Sequence, residues 1–179
     1  KLHAHKFKRV FPTMAGIIGV VVVAVVTWFC NWNRAETWLP FAGFLGGSLV
    51  GLIDDLINVF GTGAGAAGLR APVKFSMITI VGLMLGWFFT YKLGWTGIHL
   101  PFHGDFELGA IPMMLLFAFS VVATSNAVNI SDGLDGLAGG LAMVAYGSFG
   151  VIALFRGQIA LFAFCMTVVG WLLSYVWFN

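Results

Sequence analysis

The chain has 179 residues, of which 60% are hydrophobic and only 9% charged, and its mean hydropathy is +0.97. A soluble domain carries about 25% charged residues, so a water-soluble fold would lack a polar coat, and an all-α, polytopic membrane bundle is expected instead. The net charge of +2 is too small to suggest nucleic-acid binding.

The opening stretch, KLHAHKFKRVFPT, is basic and polar, and it enters an apolar run without a small-residue cleavage site, so it does not read as a signal peptide. A membrane span needs about 20 apolar residues, or about 17 at the short end. On that measure about six spans follow. The first is Met14 to Phe29, Val-rich and followed by a polar turn, Asn31 to Thr37. The second is Trp38 to Ile53, where Gly43, Gly46, Gly47 and Gly51 suit close helix approach. It ends at Asp54-Asp55 and leads into a Gly/Ala-rich loop, Gly61 to Ala71, closed by Arg70 and Pro72. The third is Val73 to Tyr91, and a polar connection, Gly94 to Glu107, offers turn sites around Gly97, Pro101 and Gly104. The fourth is Ile111 to Val128, the fifth Leu137 to Phe155 and the sixth Ile159 to Phe178, with Arg156-Gly157-Gln158 between the last two. Residues 1–179 are read as a single transmembrane domain whose two ends look cut from something longer.

Alternating spans sort the loops into two sets. The set holding both acidic stretches also holds Lys1, Lys6, Lys8, Arg9, Arg70 and Lys74; the other holds Arg34, Lys92 and Arg156. The excess of basic residues puts the first set in the cytoplasm.

Acids beside a bilayer are costly and need partners, ions or a substrate. The stretch Asn126 to Gly140, NAVNISDGLDGLAGG, brings Asp132, Asp135, Asn126 and Asn129 together after an apolar run. If Asp132 begins a helix, both carboxylates lie near one face of its first turn. Gly133 and Gly136 would then let a phosphate or metal approach the backbone. The plainer reading makes Asp132 an N-cap and Asp135 its capping-box relative, which leaves the two asparagines unexplained. Asp54 and Asp55 are adjacent, so on a helix they point in different directions. A plain interfacial stop signal would favour Lys or Arg there. Two acidic sites on one face suit Mg²⁺, which takes carboxylate and substrate phosphate oxygens, and Mg²⁺ with a basic residue is the usual equipment for phosphoryl transfer. Lys6, Lys8 and Arg9 fit an anion clamp or a simple positive-inside anchor. His3, His5, His99 and His103 read as loop residues, and Cys30 and Cys165 as buried free thiols without metal-ligand spacing. The Gly61–Gly68 loop lacks the GKS/GKT ending of a P-loop.

Together NAVNISDGLDGLAGG, the GLIDD end of the second span and HKFKRVFPTMAGI resemble three signatures of the polyprenyl-phosphate phospho-N-acetylhexosamine transferases. The first is most like the branch that handles phospho-MurNAc-pentapeptide. The resemblance runs through essentially all of this chain and covers the central part of a family member. It implies a bacterial, multi-pass inner (plasma) membrane enzyme working at the cytoplasmic face. There undecaprenyl phosphate attacks the β-phosphate of UDP-MurNAc-pentapeptide, UMP leaves and lipid I forms, with Mg²⁺ required, in the service of peptidoglycan synthesis. Carried over by motif, Asp54, Asp55, Asp132 and Asp135 are the catalytic acids, one of the first pair being a candidate base. Lys8, Thr13, Asn126, Asn129 and Gly133 bind substrate, and Asp54, Asp55 and Asp132 are candidate metal ligands. Gly94 to Glu107 matches a short periplasmic hairpin, and a homodimer is implied.

The chain departs from the family pattern in reading VFPTMAG where GTPTMGG is usual, and in offering Gly and Ala instead of the usual lysines in the loop after Asp55. The resemblance also implies further helices before residue 1, and beyond Asn179 a segment with a third metal-binding aspartate and a His-x-His loop. The 179 residues alone are therefore expected to be inactive. Two alternatives stand beside this reading: a UDP-GlcNAc:undecaprenyl-phosphate GlcNAc-1-phosphate transferase, and a cation-coupled transporter. A transporter calls for acids near mid-span or for inverted repeats, and neither is visible.

Overall fold

The computed structural model describes residues 15–31, 35–60, 69–134 and 136–178. In order come α1 (Ala15–Cys30), α2 (Trp38–Phe60), α3 (Ala71–Trp87), β1 (Gly97–Leu100), β2 (Gly104–Glu107), α4 (Ala110–Ser131), α5 (Leu137–Phe155) and α6 (Ile159–Phe178). Helices dominate because hydrocarbon offers no water to backbone N–H and C=O groups, which a helix pairs within itself. Several side-chain hydroxyls are paired the same way: Ser48 donates to the Phe44 carbonyl at 2.6 Å, Ser120 to Leu116 and Thr167 to Ala163, both at 2.8 Å. This i−4 bonding hides a polar group along its own helix. Large apolar side chains such as Ile18, Met84, Phe119, Val144 and Phe149 point outward, as a lipid-facing surface requires.

Among the described residues, 5 helices are long and apolar enough to cross a membrane. The protein is a multi-pass, all-α membrane chain, as its composition predicts. The expected first span is met by α1, described over 16 residues; the residues before Ala15 lie outside the described ones.

The described chain falls into two compact units, Trp38–Ile130 and the remainder, Lys1–Thr37 with Ser131–Asn179. In the second of these, α5 and α6 pack antiparallel: Gly150 lies against Cys165 and Met166, and eleven residues earlier Gly139 lies against Tyr175 and Val176. The first helix rests on α6 with Gly19 under Trp171, and Val23, Phe164 and Val168 are fully buried. Asn31, buried just past α1, donates from Nδ2 to Thr37 Oγ1 and to the Ala160 carbonyl, both at 3.1 Å. A buried amide without partners would cost about 1–3 kcal/mol; here it ties the turn after α1 to the start of α6.

In the unit Trp38–Ile130, α2 packs on α3, and α3 packs on α4 through Gly82 against Ala118 and Gly86 against Met114. One turn forward on α3 is one turn back on α4, so the pair is antiparallel. The third helix runs on through a π-helical turn, Phe88–Lys92. Phe89 then stacks between Trp95 and Phe117, with centroids 6.1 and 4.9 Å apart, fixing the base of the following hairpin to α4. β1 and β2 pair antiparallel with Ile98 opposite Phe106 and His99 opposite Asp105. The polar connection is thus a two-stranded hairpin, with Gly97 in a strand rather than a turn.

Two other expectations need correcting. The second helix continues past Ile53 to Phe60, so Asp54 and Asp55 sit inside its last two turns, not beyond its end. Both cysteines are free, but only Cys165 is buried; Cys30 is exposed.

Candidate active site

Asp54 and Asp55, successive residues on a helix, diverge as their spacing requires. Asp54 is partly buried. Its Oδ2 meets Lys74 Nζ at 2.9 Å, and its Oδ1 accepts the Leu69 N–H at 2.7 Å. Lys74 is positioned by the start of α3. Pro72, in the first turn, lacks an N–H that would have had no partner there. The backbone N–H groups of Val73 and Lys74 both turn back to the Arg70 carbonyl, at 2.9 and 3.1 Å. One carboxylate thus holds the end of α2 to the entry of α3 across the intervening segment. Asp55 is exposed.

Sequence reasoning missed the role of Lys74, which entered only as a positive charge near a span end. The signal available was Pro72, which fixes the first turn of α3 and so the side on which a lysine two residues later emerges.

Asn126 and Asn129 lie in the last turns of α4, exposed, with Asn126 Nδ2 donating to the Val122 carbonyl at 2.9 Å. The antiparallel register of α3 and α4 puts them at the same end of that helix pair as Lys74. Asp132 and Gly133 follow in the turn between α4 and α5, both exposed, and nothing lies within 4 Å of where a Gly133 side chain would start. This is the open backbone that an approaching phosphate would need.

Asp132 does not begin a helix. The N-cap of α5 is Gly136, at φ 79 and without a side-chain cap. That left-handed conformation is easy only for glycine, and a side chain there would also meet Val176 at 3.6 Å. Gly136 and Gly139 therefore answer to backbone conformation and helix packing, whereas Gly133 and Gly140 have open space around them. Asp135, Lys8 and Thr13, with Lys6 and Arg9, lie outside the described residues.

Among the described residues no group of three or more His, Cys, Asp or Glu side chains is gathered to hold a metal. A protein cage is not what Mg²⁺ needs, since it commonly takes one or two carboxylates with waters and substrate phosphates. The exposed carboxylates Asp55 and Asp132 fit that donor set. Asp54 already holds Lys74 and the Leu69 N–H, which leaves its carboxylate less free for an ion.

A family model described as glycosyl transferase family 4 matches residues 37–179. The chain belongs to glycosyl transferase family 4. The family match takes in both acidic stretches and leaves Lys8 and Thr13 outside it. Curated relatives extend the likeness to 98% of the chain. It is 35% identical over 179 residues to the phospho-N-acetylmuramoyl-pentapeptide-transferase of Lactobacillus helveticus, covering 55% of that protein. It is 36% identical over 182 residues to the protein of the same name in Levilactobacillus brevis, again covering 55%. For the Caldanaerobacter subterraneus protein the figures are 35% over 179 residues and 54%. The chain thus spans about half the length of the curated relatives it matches. The family membership expected from the motifs holds.

Proposed function

We propose that this chain is the central portion of an enzyme that transfers phospho-MurNAc-pentapeptide from UDP-MurNAc-pentapeptide to undecaprenyl phosphate, giving lipid I and UMP. The observation that carries the reading is the likeness to transferases of that name along 98% of the chain.

In the reaction a lipid phosphate oxygen bonds to the β-phosphorus of the donor. The bond from that phosphorus to the bridging oxygen breaks, and its electron pair departs with UMP. Little covalent work falls to the protein in phosphoryl transfer; positioning and charge stabilisation dominate. Asp55, exposed near the end of α2, is the better of the acid pair to accept a proton from the lipid phosphate. Asp54 positions Lys74 instead, whose ammonium is a cation for phosphate oxygens at the same end of α3 and α4 as Asn126 and Asn129. Gly133 leaves room for the donor beside Asp132. Lys8, Thr13 and Asp135 are assigned to substrate and catalysis by motif. Mg²⁺, held by an exposed carboxylate, Asp55 or Asp132, would neutralise charge on the diphosphate. The working face is cytoplasmic, at the bacterial inner membrane, and the enzyme is a homodimer.

The test is incubation of the full-length protein with undecaprenyl phosphate and either UDP-MurNAc-pentapeptide or UDP-GlcNAc, following UMP. Mg²⁺-dependent UMP from the pentapeptide donor is expected. Release from UDP-GlcNAc alone would move the enzyme to GlcNAc-1-phosphate transfer, and none from either donor would end the transferase reading.

A further inference from the structure

The hairpin between α3 and α4 sorts its side chains by chemistry. Alternation along the strands puts Ile98, Leu100 and Phe106 on one face and His99, Asp105 and Glu107 on the other. The polar face is internally paired: His99 Nδ1 lies 2.7 Å from Asp105 Oδ1, and Thr96 Oγ1 donates to Glu107 Oε2 at 2.9 Å. The apolar face is open, with Leu100 40% and Phe106 55% exposed. At the tip Phe102 is fully exposed at φ 74, a left-handed conformation that is a true outlier for so bulky a residue. Strain that presents an aromatic ring to its surroundings points to something that receives the ring.

We propose that this hairpin lies flat in the interfacial layer of the bilayer, its Ile98–Leu100–Phe106 face and Phe102 against lipid and its His99–Asp105–Glu107 face toward water. Three observations favour lipid over a protein. First, both ends of the hairpin join helices long and apolar enough to span the membrane, so the hairpin starts and ends at the edge of the bilayer. Second, the last turns of the α3 span carry Trp87 and Tyr91, with ring centroids 6.1 Å apart, and the half-exposed Trp95 follows; such rings gather at the interface. Third, length decides between upright and flat. A strand of 4 residues reaches about 14 Å, whereas each interfacial layer is only about 5–8 Å deep. Upright, the hairpin would carry Phe102 into bulk water; flat, the ring stays at the headgroup boundary. An amphipathic element that lies in the membrane plane is common among helices, and here a strand pair does the same.

The test places single nitroxide labels on the full-length protein in bilayer nanodiscs of phosphatidylethanolamine and phosphatidylglycerol, with native cysteines replaced. Labels go at Phe102→Cys, Phe106→Cys and Asp105→Cys, and collisions with oxygen and with a water-soluble nickel chelate are compared. The oxygen-to-nickel ratio is expected to be several-fold higher at 102 and 106 than at 105. Adding Phe102→Asp to the 106-labelled protein should bring its ratio down toward that of position 105. Equal, nickel-favoured ratios at all three positions would overturn the proposal. So would protection at 102 and 106 that persists in detergent with spin–spin broadening, which would mean a second copy covers the face. An unchanged ratio at 106 in the Phe102→Asp variant would overturn the anchoring role of Phe102.

Discussion

Lys74 and Asp54 form a pair whose worth to folding and to function should separate. Their side chains are 32% and 23% exposed, and ion pairs near solvent contribute about 0–1 kcal/mol. Lys74→Met should therefore lower the melting temperature of the purified full-length protein only slightly, while UMP release falls by an order of magnitude or more. Normal turnover would remove Lys74 from the site. Asp132 makes a cleaner case, since an exposed residue away from packing changes stability by no more than about 0.5 kcal/mol. Asp132→Asn should keep the thermal transition and the detergent elution profile, and lose turnover. Retained activity would contradict the role assigned to it. At this scale the sequence displayed the acids and their chemistry but not their company. The divergence of Asp54 and Asp55 follows from helical spacing alone, and it was legible. That Asp54 reaches Lys74 depends on how the chain returns after α2, twenty residues away, and no local pattern encodes it. Asp132 invited an N-cap reading because Asp is a good cap, yet Gly136 takes that position. The turn geometry, not the side chain, decides where α5 begins.

Helix by helix, the spans were visible because a period-free apolar run of about 20 residues has few other uses. Helix ends were less so. Hydropathy stops at Asp54, but nothing in Leu56 to Phe60 breaks a helix, so α2 continues while the apolar signal fades. The glycines of α2 show the same limit: all four suggested close approach. A side chain at Gly43 would meet Leu85 at 3.3 Å and one at Gly46 would meet Val81 at 3.0 Å, whereas Gly47 and Gly51 face nothing within 4 Å. Composition announces that small residues are present; the partner helix decides which of them matter. This gives a paired prediction. A methyl at Gly86 would stand 2.7 Å from the Met114 carbonyl oxygen, a backbone atom that cannot swing aside, so α3 and α4 must separate. Gly86→Ala should cost about 1–3 kcal/mol, as overpacking does. Gly47→Ala, mid-helix with open space around it, should stabilise by about 0.5–1 kcal/mol. Thermal unfolding of both variants in one detergent should move the midpoint in opposite directions, and a midpoint left unchanged or raised by Gly86→Ala would refute the α3–α4 contact.

For the molecule as a whole, composition alone excluded a soluble fold, and motif wording led to the family. Sidedness is the property most weakly written in the chain, because it rests on a difference of a few basic residues. Lys74 counts toward the cytoplasmic set although it pairs with Asp54, since the bias counts Lys and Arg and acids contribute little. Connectivity then constrains the rest. The third and fourth helices each cross once and meet at the hairpin, so the Asp54–Lys74 end and the hairpin must open on opposite sides. Cysteines introduced at Asn58, on the exposed end of α2, and at His103, at the hairpin turn, report on these two sides without touching the proposed catalytic groups. In intact spheroplasts expressing the full-length protein, a membrane-impermeant maleimide should label His103→Cys and spare Asn58→Cys, and lysis should expose both. Labelling of Asn58→Cys alone would invert the orientation and put the acids on the wrong side for a nucleotide-sugar donor made in the cytoplasm. Labelling of both in intact cells would mean that α3 does not cross, and the lipid-facing surface assigned to it would have to be given up.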